Sequence, residues 1–206
     1  MGIIEPLPSG RLVGKRIGIL MENDFVEEEI SYLERRFAEE GARVELLTRL
    51  WGQESLLFSG HGKRGRTRVD GDLEELGYHE LTQLSALVVP AGMVADRLRY
   101  SDQVELPAPA VRLMRRAFGI PTLLKVFSCH GLLLMSAAKD LLDGRPVTCH
   151  NNLVADVRNM GAVYRDQDVV QDGDLITSRA VEHCHLLART VIEAIDRPAQ
   201  PHGAAA

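Results

Sequence analysis

The 206-residue chain has three cysteines, one tryptophan and 5% aromatic residues, and no long uninterrupted apolar run. Each shortage excludes something. Cys129, Cys149 and Cys184 are too few and too scattered for a disulfide framework or a CxxC metal site. The expectation is therefore a reduced, cytoplasmic protein that holds no metal. No segment reaches membrane-spanning length, and Met1-Gly2-Ile3-Ile4-Glu5-Pro6 lacks the basic-then-apolar plan of a secretory signal. Pro6 also spoils the myristoylation pattern that Met1-Gly2 begins. A formal charge of −5 leaves no electrostatic footprint for nucleic acid. The basic run Lys63-Arg64-Gly65-Arg66-Thr67-Arg68 reads as a solvated face. There is no internal repeat and no glycine-rich phosphate loop, so no cofactor is expected.

What is present suits one compact domain, with 45% hydrophobic and 26% charged residues to make a core without staples. The boundaries read as an N-terminal extension over 1–14, a domain over 15–197 and a disordered tail over 198–206, which holds two prolines and Gly-Ala-Ala-Ala. Strands and helices alternate. Arg16–Met21 reads as a strand, and a helix from about Val26 to Glu40 carries Ile30, Leu33 and Phe37 at helical spacing before Gly41 closes it. Val44–Leu47, Ala86–Pro90 and Thr122–Phe127 are further strands, and Ala108–Phe118 and His130 to about Ala138 further helices. A polar connection from Trp51 to about Gly77 is long for a compact domain, which marks it as functional. Short strands at Pro146–Cys149, Val163-Tyr164, Asp168–Val170 and Asp174–Ser178 precede a closing helix from about His183 to Ile195. The expected fold is α/β: a flavodoxin-like sandwich, a mostly parallel central sheet flanked by helices, with a small antiparallel hairpin.

Cys129 is the most informative residue. Thr122-Leu-Leu-Lys-Val-Phe-Ser128 ends abruptly at Cys129-His130-Gly131, and a helical pattern follows. That is how a strand-to-helix turn displaying a nucleophile reads: the turn is tight, so glycine stands close by. The positive end of the following helix is expected to lower the thiol pKa. The bland alternative is a buried structural cysteine. Ligands of open α/β sheets bind outside the carboxyl ends of the strands. Three such ends are legible: after Met21, at Pro90-Ala91-Gly92, and at Cys129.

With these anchors the chain resembles the PfpI/ThiJ superfamily of intracellular proteases, deglycases and hydratases, which has a class I glutamine-amidotransferase-like fold. The resemblance runs from about Arg16 to Ile195 through Asn23-Asp-Phe-Val-Glu-Glu-Glu-Ile30, Val88-Val-Pro-Ala-Gly-Met93, Ser128-Cys-His-Gly131, Asn159-Met-Gly-Ala162 and Val169-Val-Gln-Asp-Gly-Asp-Leu-Ile-Thr-Ser-Arg179. It implies that Cys129 is the nucleophile and that Glu29, counted back from Gly41, hydrogen-bonds its sulfur. It implies an oxyanion hole from the Gly92 and His130 amides. In the protease-like branch an acid from a neighbouring subunit orients the histidine, and that position falls on Asp96; a homodimer or higher homo-oligomer is thus implied. The chain departs from the family in placing Val26 where a second acid stands, Ala91-Gly92 for a glycine pair, and His183-Cys184-His185 at a helix start that often holds proline.

Each residue has a plainer reading too. Glu29 follows Glu27 and Glu28, and acids at a helix start complement its dipole; beside a thiol, its burial would raise its pKa and make it a proton carrier. His130 is either general base or acid, or a helix cap. Asp96 beside Arg97 and Arg99 also reads as a surface ion pair. His183 and His185, two apart, do not share a helix face, which argues against chelation and leaves one as a polar contact in the pocket. His150 and Asn151 follow a strand end and line the pocket in the functional reading; asparagine is also a common turn residue. Lys125, in an apolar strand, needs a partner and reads as a sheet edge or interface.

The expected function is a cysteine-dependent enzyme adding a thiolate to a small electrophilic, carbonyl-like substrate, of hydratase, lyase, hydrolase or glyoxalase type. The alternatives are a cysteine peptidase or amidase, and a thiol redox sensor or chaperone. The expected partners are a small-molecule substrate and further copies of the chain, without nucleic acid or membrane.

Overall fold

The computed structural model describes residues 4–197. Strand β1 (Arg16–Leu20) is followed by α1 (Glu27–Glu39) and β2 (Arg43–Thr48), then by β3 (Leu56–Ser59), β4 (Arg66–Val69) and β5 (Gly71–Asp72). Helix α2 (Tyr78–Thr82) leads to β6 (Ala86–Val89), α3 (Val94–Leu98), α4 (Pro109–Phe118) and β7 (Leu124–Ser128). A 3-10 helix (Gly131–Leu141) precedes β8 (Pro146–Val147), α5 (Val154–Asn159), β9 (Val163–Tyr164), β10 (Val169–Asp172), β11 (Leu175–Ser178) and α6 (Cys184–Asp196).

Seven strands form one sheet in the order β10-β11-β7-β6-β1-β2-β5. All pairs are parallel except β10–β11, so the fold is the flavodoxin-like sandwich with an antiparallel hairpin at one edge. β6 and β7 are buried along their length, as parallel strands covered on both faces must be. Ile17, Ile19, Leu33, Phe37 and Phe127 are among the fully enclosed residues of the core. Helix α1 buries Ile30, Leu33 and Phe37 at the expected spacing and packs against α6. The chain moves from β1 outward to β2 and then returns to the other side of β1 with β6. Loops leaving the carboxyl ends of β1 and β6 therefore diverge and open a crevice at that edge. No helix among the described residues is long and apolar enough to cross a membrane.

Several expectations need correction. The Trp51–Gly77 connection is not plain loop: β3 and β4 pair as a hairpin and β5 extends the main sheet beside β2. Phe58, Thr67 and Val69 point inward, and the charged outward residues mask that alternation. The segment after Cys129 is a 3-10 helix, broken at Ala138, rather than an α-helix. Lys125 is neither edge nor interface: it is fully buried in β7, between β6 and β11, where its ammonium meets Asp174 and the Ile120 carbonyl. Of the N-terminal segment, Leu12 is fully buried and its N–H donates to the Glu40 carbonyl at 2.7 Å. The tail over 198–206 lies outside the described residues.

Candidate active site

The β7 strand ends at Ser128, and Cys129 turns the chain with φ of 54°, a left-handed conformation unusual for a residue with a side chain. Two hydrogen bonds hold it there: its N–H donates to the Ser178 carbonyl at 2.9 Å, and its carbonyl accepts from His150 N–H at 3.4 Å. Gly131 makes the turn possible, since a Cβ there would lie 2.5 Å from the Val89 carbonyl oxygen. The result is a tight turn at the carboxyl edge of the sheet with Cys129 in it.

Around the sulfur the structure brings together residues from distant parts of the chain. His130 Nδ1 lies 3.1 Å from Cys129 Sγ. Glu29, in the first turn of α1, is completely buried; its Oε2 accepts the Ala91 N–H at 2.7 Å, and its Oε1 has no partner among the described residues. Burial raises the Glu29 pKa, against the opposing pull of the Ser128 hydroxyl and the Ala91 amide. Gly92 sits at φ of 85°, and a Cβ there would fall 2.3 Å from the Asp24 carbonyl oxygen. Phe25 bridges to Gly92 on one side and to Gly60 of the β3–β4 turn on the other. The hairpin that the sequence concealed thus buttresses the β1 loop beside the site.

The electrostatics overturn one expectation. The Cys129 thiol is not lowered but pushed up to about 12, first by its burial and then by the Glu29 charge, with the His130 main-chain N–H pulling the other way. A 3-10 helix stands where an α-helical dipole was expected, and Cys129 is only 7% exposed. A protonated Glu29 removes the second of those penalties, so the acid and the thiol are linked: one favours keeping its proton, and that makes the other easier to ionise. His130 is lowered by burial and then by His150, whose ring stacks on it at 5.0 Å between centroids.

The other expected residues divide. His150 and Asn151 stand at the turn after β8, next to the elbow. Asp96, on α3, pairs with Arg99 and makes no bond to His130 within the subunit. His183 Nε2 lies 3.3 Å from Asp168 Oδ1, and its buried Nδ1 has no partner among the described residues. His185 is a correction: it is exposed and turns back to the Glu182 carbonyl, so it does not join the cluster. Cys184 is raised by burial and then by the charge of Glu29, which places the start of α6 beside the acid. Cys149 is fully buried.

Two further residues stand in the motifs read from the sequence without a role of their own. Ser128 is a buried hydroxyl between Glu29 and Ser178, whose Oγ lies 3.2 Å away; a polar residue at the end of an apolar strand was the available signal. Arg179, immediately after β11, reaches Asn151 at 3.1 Å, Tyr164 at 3.0 Å and Asp166 at 2.6 Å, and so pins the turn that carries His150. The small hollow between Glu22, Arg49, Trp51 and Tyr100 does not reach Cys129, nor does the wide groove between β2, β4 and the N-terminal segment.

Comparison with known proteins places this elbow in context. The sequence model of the DJ-1/PfpI family matches residues 15–194. The chain belongs to the DJ-1/PfpI family. It is 30% identical over 171 residues to protein/nucleic acid deglycase 2 of Escherichia coli, covering 81% of this chain and 90% of that one. It is 29% identical over 166 residues to deglycase PfpI of Pyrococcus furiosus, covering 80% and 89%. A solved two-domain protein of Anabaena variabilis, with DJ-1/ThiJ/PfpI-like and ferritin-like domains, superposes with a TM-score of 0.76 at 26% identity. The alignment covers 87% of this chain and 47% of that longer one. DJ-1/PfpI relatives named as deglycases make this an enzyme family, and the fold built around Cys129 is the family fold.

Proposed function

We propose that the protein is a cysteine-dependent enzyme that adds the Cys129 sulfur to the carbonyl carbon of a small electrophile such as a vicinal dicarbonyl. The observation that carries this reading is the contact of His130 Nδ1 with a thiol held at an unusual backbone angle beside a fully buried carboxyl. At rest the sulfur keeps its proton, since burial raises its pKa. When substrate arrives, the S–H proton passes to His130 Nδ1 as the S–C bond forms and the carbonyl π pair moves onto oxygen. In this proposal the Gly92 and His130 amides hold that oxygen. Glu29, whose pKa burial raises, supplies in its protonated form a hydrogen bond to sulfur, and His130 hands the proton it took to the adduct oxygen.

A hemithioacetal formed this way leads to hydration, to dismutation of a dicarbonyl, or to release of a carbonyl adduct from an amine, which is the sense of the deglycase names among the relatives. A cytoplasmic location and assembly into homo-oligomers belong to the same proposal. The peptidase alternative requires Asp96 of a neighbouring subunit to let go of Arg99. The redox-sensor alternative requires a low-pKa thiol, and burial works against one here.

The test is turnover of methylglyoxal and of a peptide amide by the wild type and by Cys129→Ser, with circular dichroism confirming the fold of both. The reading expects consumption of the dicarbonyl by the wild type and none by the variant. Dicarbonyl turnover that survives in a folded Cys129→Ser protein overturns it.

A further inference from the structure

His130 does not stand alone. The His150 ring lies over it with centroids 5.0 Å apart and planes 30° apart. His150 is not free to swing aside. Its main-chain N–H donates to the carbonyl of Cys129 itself, at 3.4 Å. Its Nδ1 is 2.7 Å from Asn152 Oδ1, and Arg179 holds the adjacent Asn151. The nucleophile's backbone, its imidazole partner and the second imidazole therefore form one mechanical unit.

We infer that His150 is a positioning residue for the Cys129–His130 pair: its ring fixes the His130 imidazole against the sulfur and keeps it uncharged, ready to accept the thiol proton. This rests on the reading of Cys129 as nucleophile. Two stacked imidazoles do not both hold a proton without repelling each other, and burial disfavours charge on His130 as well. The neighbours do not cancel the effect. Cys129 and Cys149 border the pair and are themselves pushed up to about 12 and about 11. From α1 comes Glu29, whose pKa burial raises. Glu182, before α6, acts on Cys129 from a distance. From α3, which packs on the 3-10 helix that His130 caps, comes Asp96, paired with Arg99 just after α3. Arg179 is engaged by Asp166. No carboxylate bonds either ring among the described residues.

An imidazole already protonated cannot take the proton from sulfur, so this pairing extends the working range toward acid. The variant His150→Phe keeps a flat ring in the stack and removes the second imidazole. Its kcat/KM profile, normalised to its own plateau, should have an acid limb displaced upward by about half a pH unit or more, a loss of about threefold on the acid side. A limb that stays in place overturns the inference. Imidazole resonances followed by NMR report the same quantity without turnover. They should show His130 titrating below an ordinary imidazole in the wild type and moving upward in His150→Phe. If that variant does not fold, wild-type His130 titrating at or above the ordinary value overturns the inference by itself. Failure of the nucleophile reading is seen separately, as activity in Cys129→Ser.

Discussion

Replacing Glu29 with glutamine tests the electrostatic basis of the site through stability alone. The carboxyl is fully buried, one oxygen takes the Ala91 N–H at 2.7 Å and the other has no partner among the described residues. Burial raises its pKa above the ordinary 4.5. The sign follows from linkage: above the unfolded-state pKa the unfolded chain has released a proton that the folded chain still binds. The wild type therefore loses stability as pH rises, until Glu29 ionises in the fold. The slope over that window is about 1.4 kcal/mol per pH unit. The amide introduced by Glu29→Gln has the same shape as the acid and does not titrate. Its carbonyl keeps the Ala91 contact, and its nitrogen replaces the unpartnered oxygen at a cost of about 1–3 kcal/mol if nothing accepts its hydrogens. That cost is independent of pH. Urea unfolding of both proteins at intervals between about pH 4.5 and about pH 8 separates the two effects, since an offset and a slope are distinct. The difference in unfolding free energy should move in favour of the variant as pH rises. Parallel curves would show that Glu29 is ionised in the folded protein, and the proposed hydrogen-bond donor to sulfur would be gone.

Three other outcomes are expected. Alkylation of Cys129 by iodoacetamide, located by peptide mapping, should keep accelerating past the pH at which an ordinary thiol levels off, because burial raises its pKa even with Glu29 uncharged; a plateau near neutrality contradicts the electrostatics. Gly92→Ala places a Cβ 2.3 Å from the Asp24 oxygen at a φ of 85°, so unfolding should become easier by about 1–3 kcal/mol, and an unchanged Tm would show the turn to be slack. Asp174→Ala strands the buried Lys125 ammonium and should cost about 3–5 kcal/mol, whereas Lys125→Met leaves Asp174 with Arg145 and should cost clearly less. Equal losses in denaturant melts would refute that asymmetry.

The parts legible in the sequence are those set by local pattern. β1, β6 and β7 are short apolar runs because parallel strands are buried on both faces, and the Cys129 elbow is legible because Gly131 follows an abrupt strand end. Glu29 was placed by its register to Gly41, and α1 keeps that register. What escaped depends on distant neighbours. The β3–β4 hairpin hides its inward residues among outward arginines. The acidity of Cys129 is decided by burial and by a glutamate brought from α1, not by the helix after it. Lys125 finds its counter-ion at Asp174, 49 residues on, which no window of local sequence reveals. His183 and His185 differ only in the phase of a helix start: one bonds Asp168, the other its own turn.

Carbon NMR with an isotope-labelled vicinal dicarbonyl watches the proposed bond itself. Mixed with the wild type, the labelled carbonyl carbon should give a protein-bound tetrahedral signal that is missing with Cys129→Ser. The same signal persisting in that variant, or no bound species in a wild type that consumes the compound, would contradict sulfur addition at Cys129.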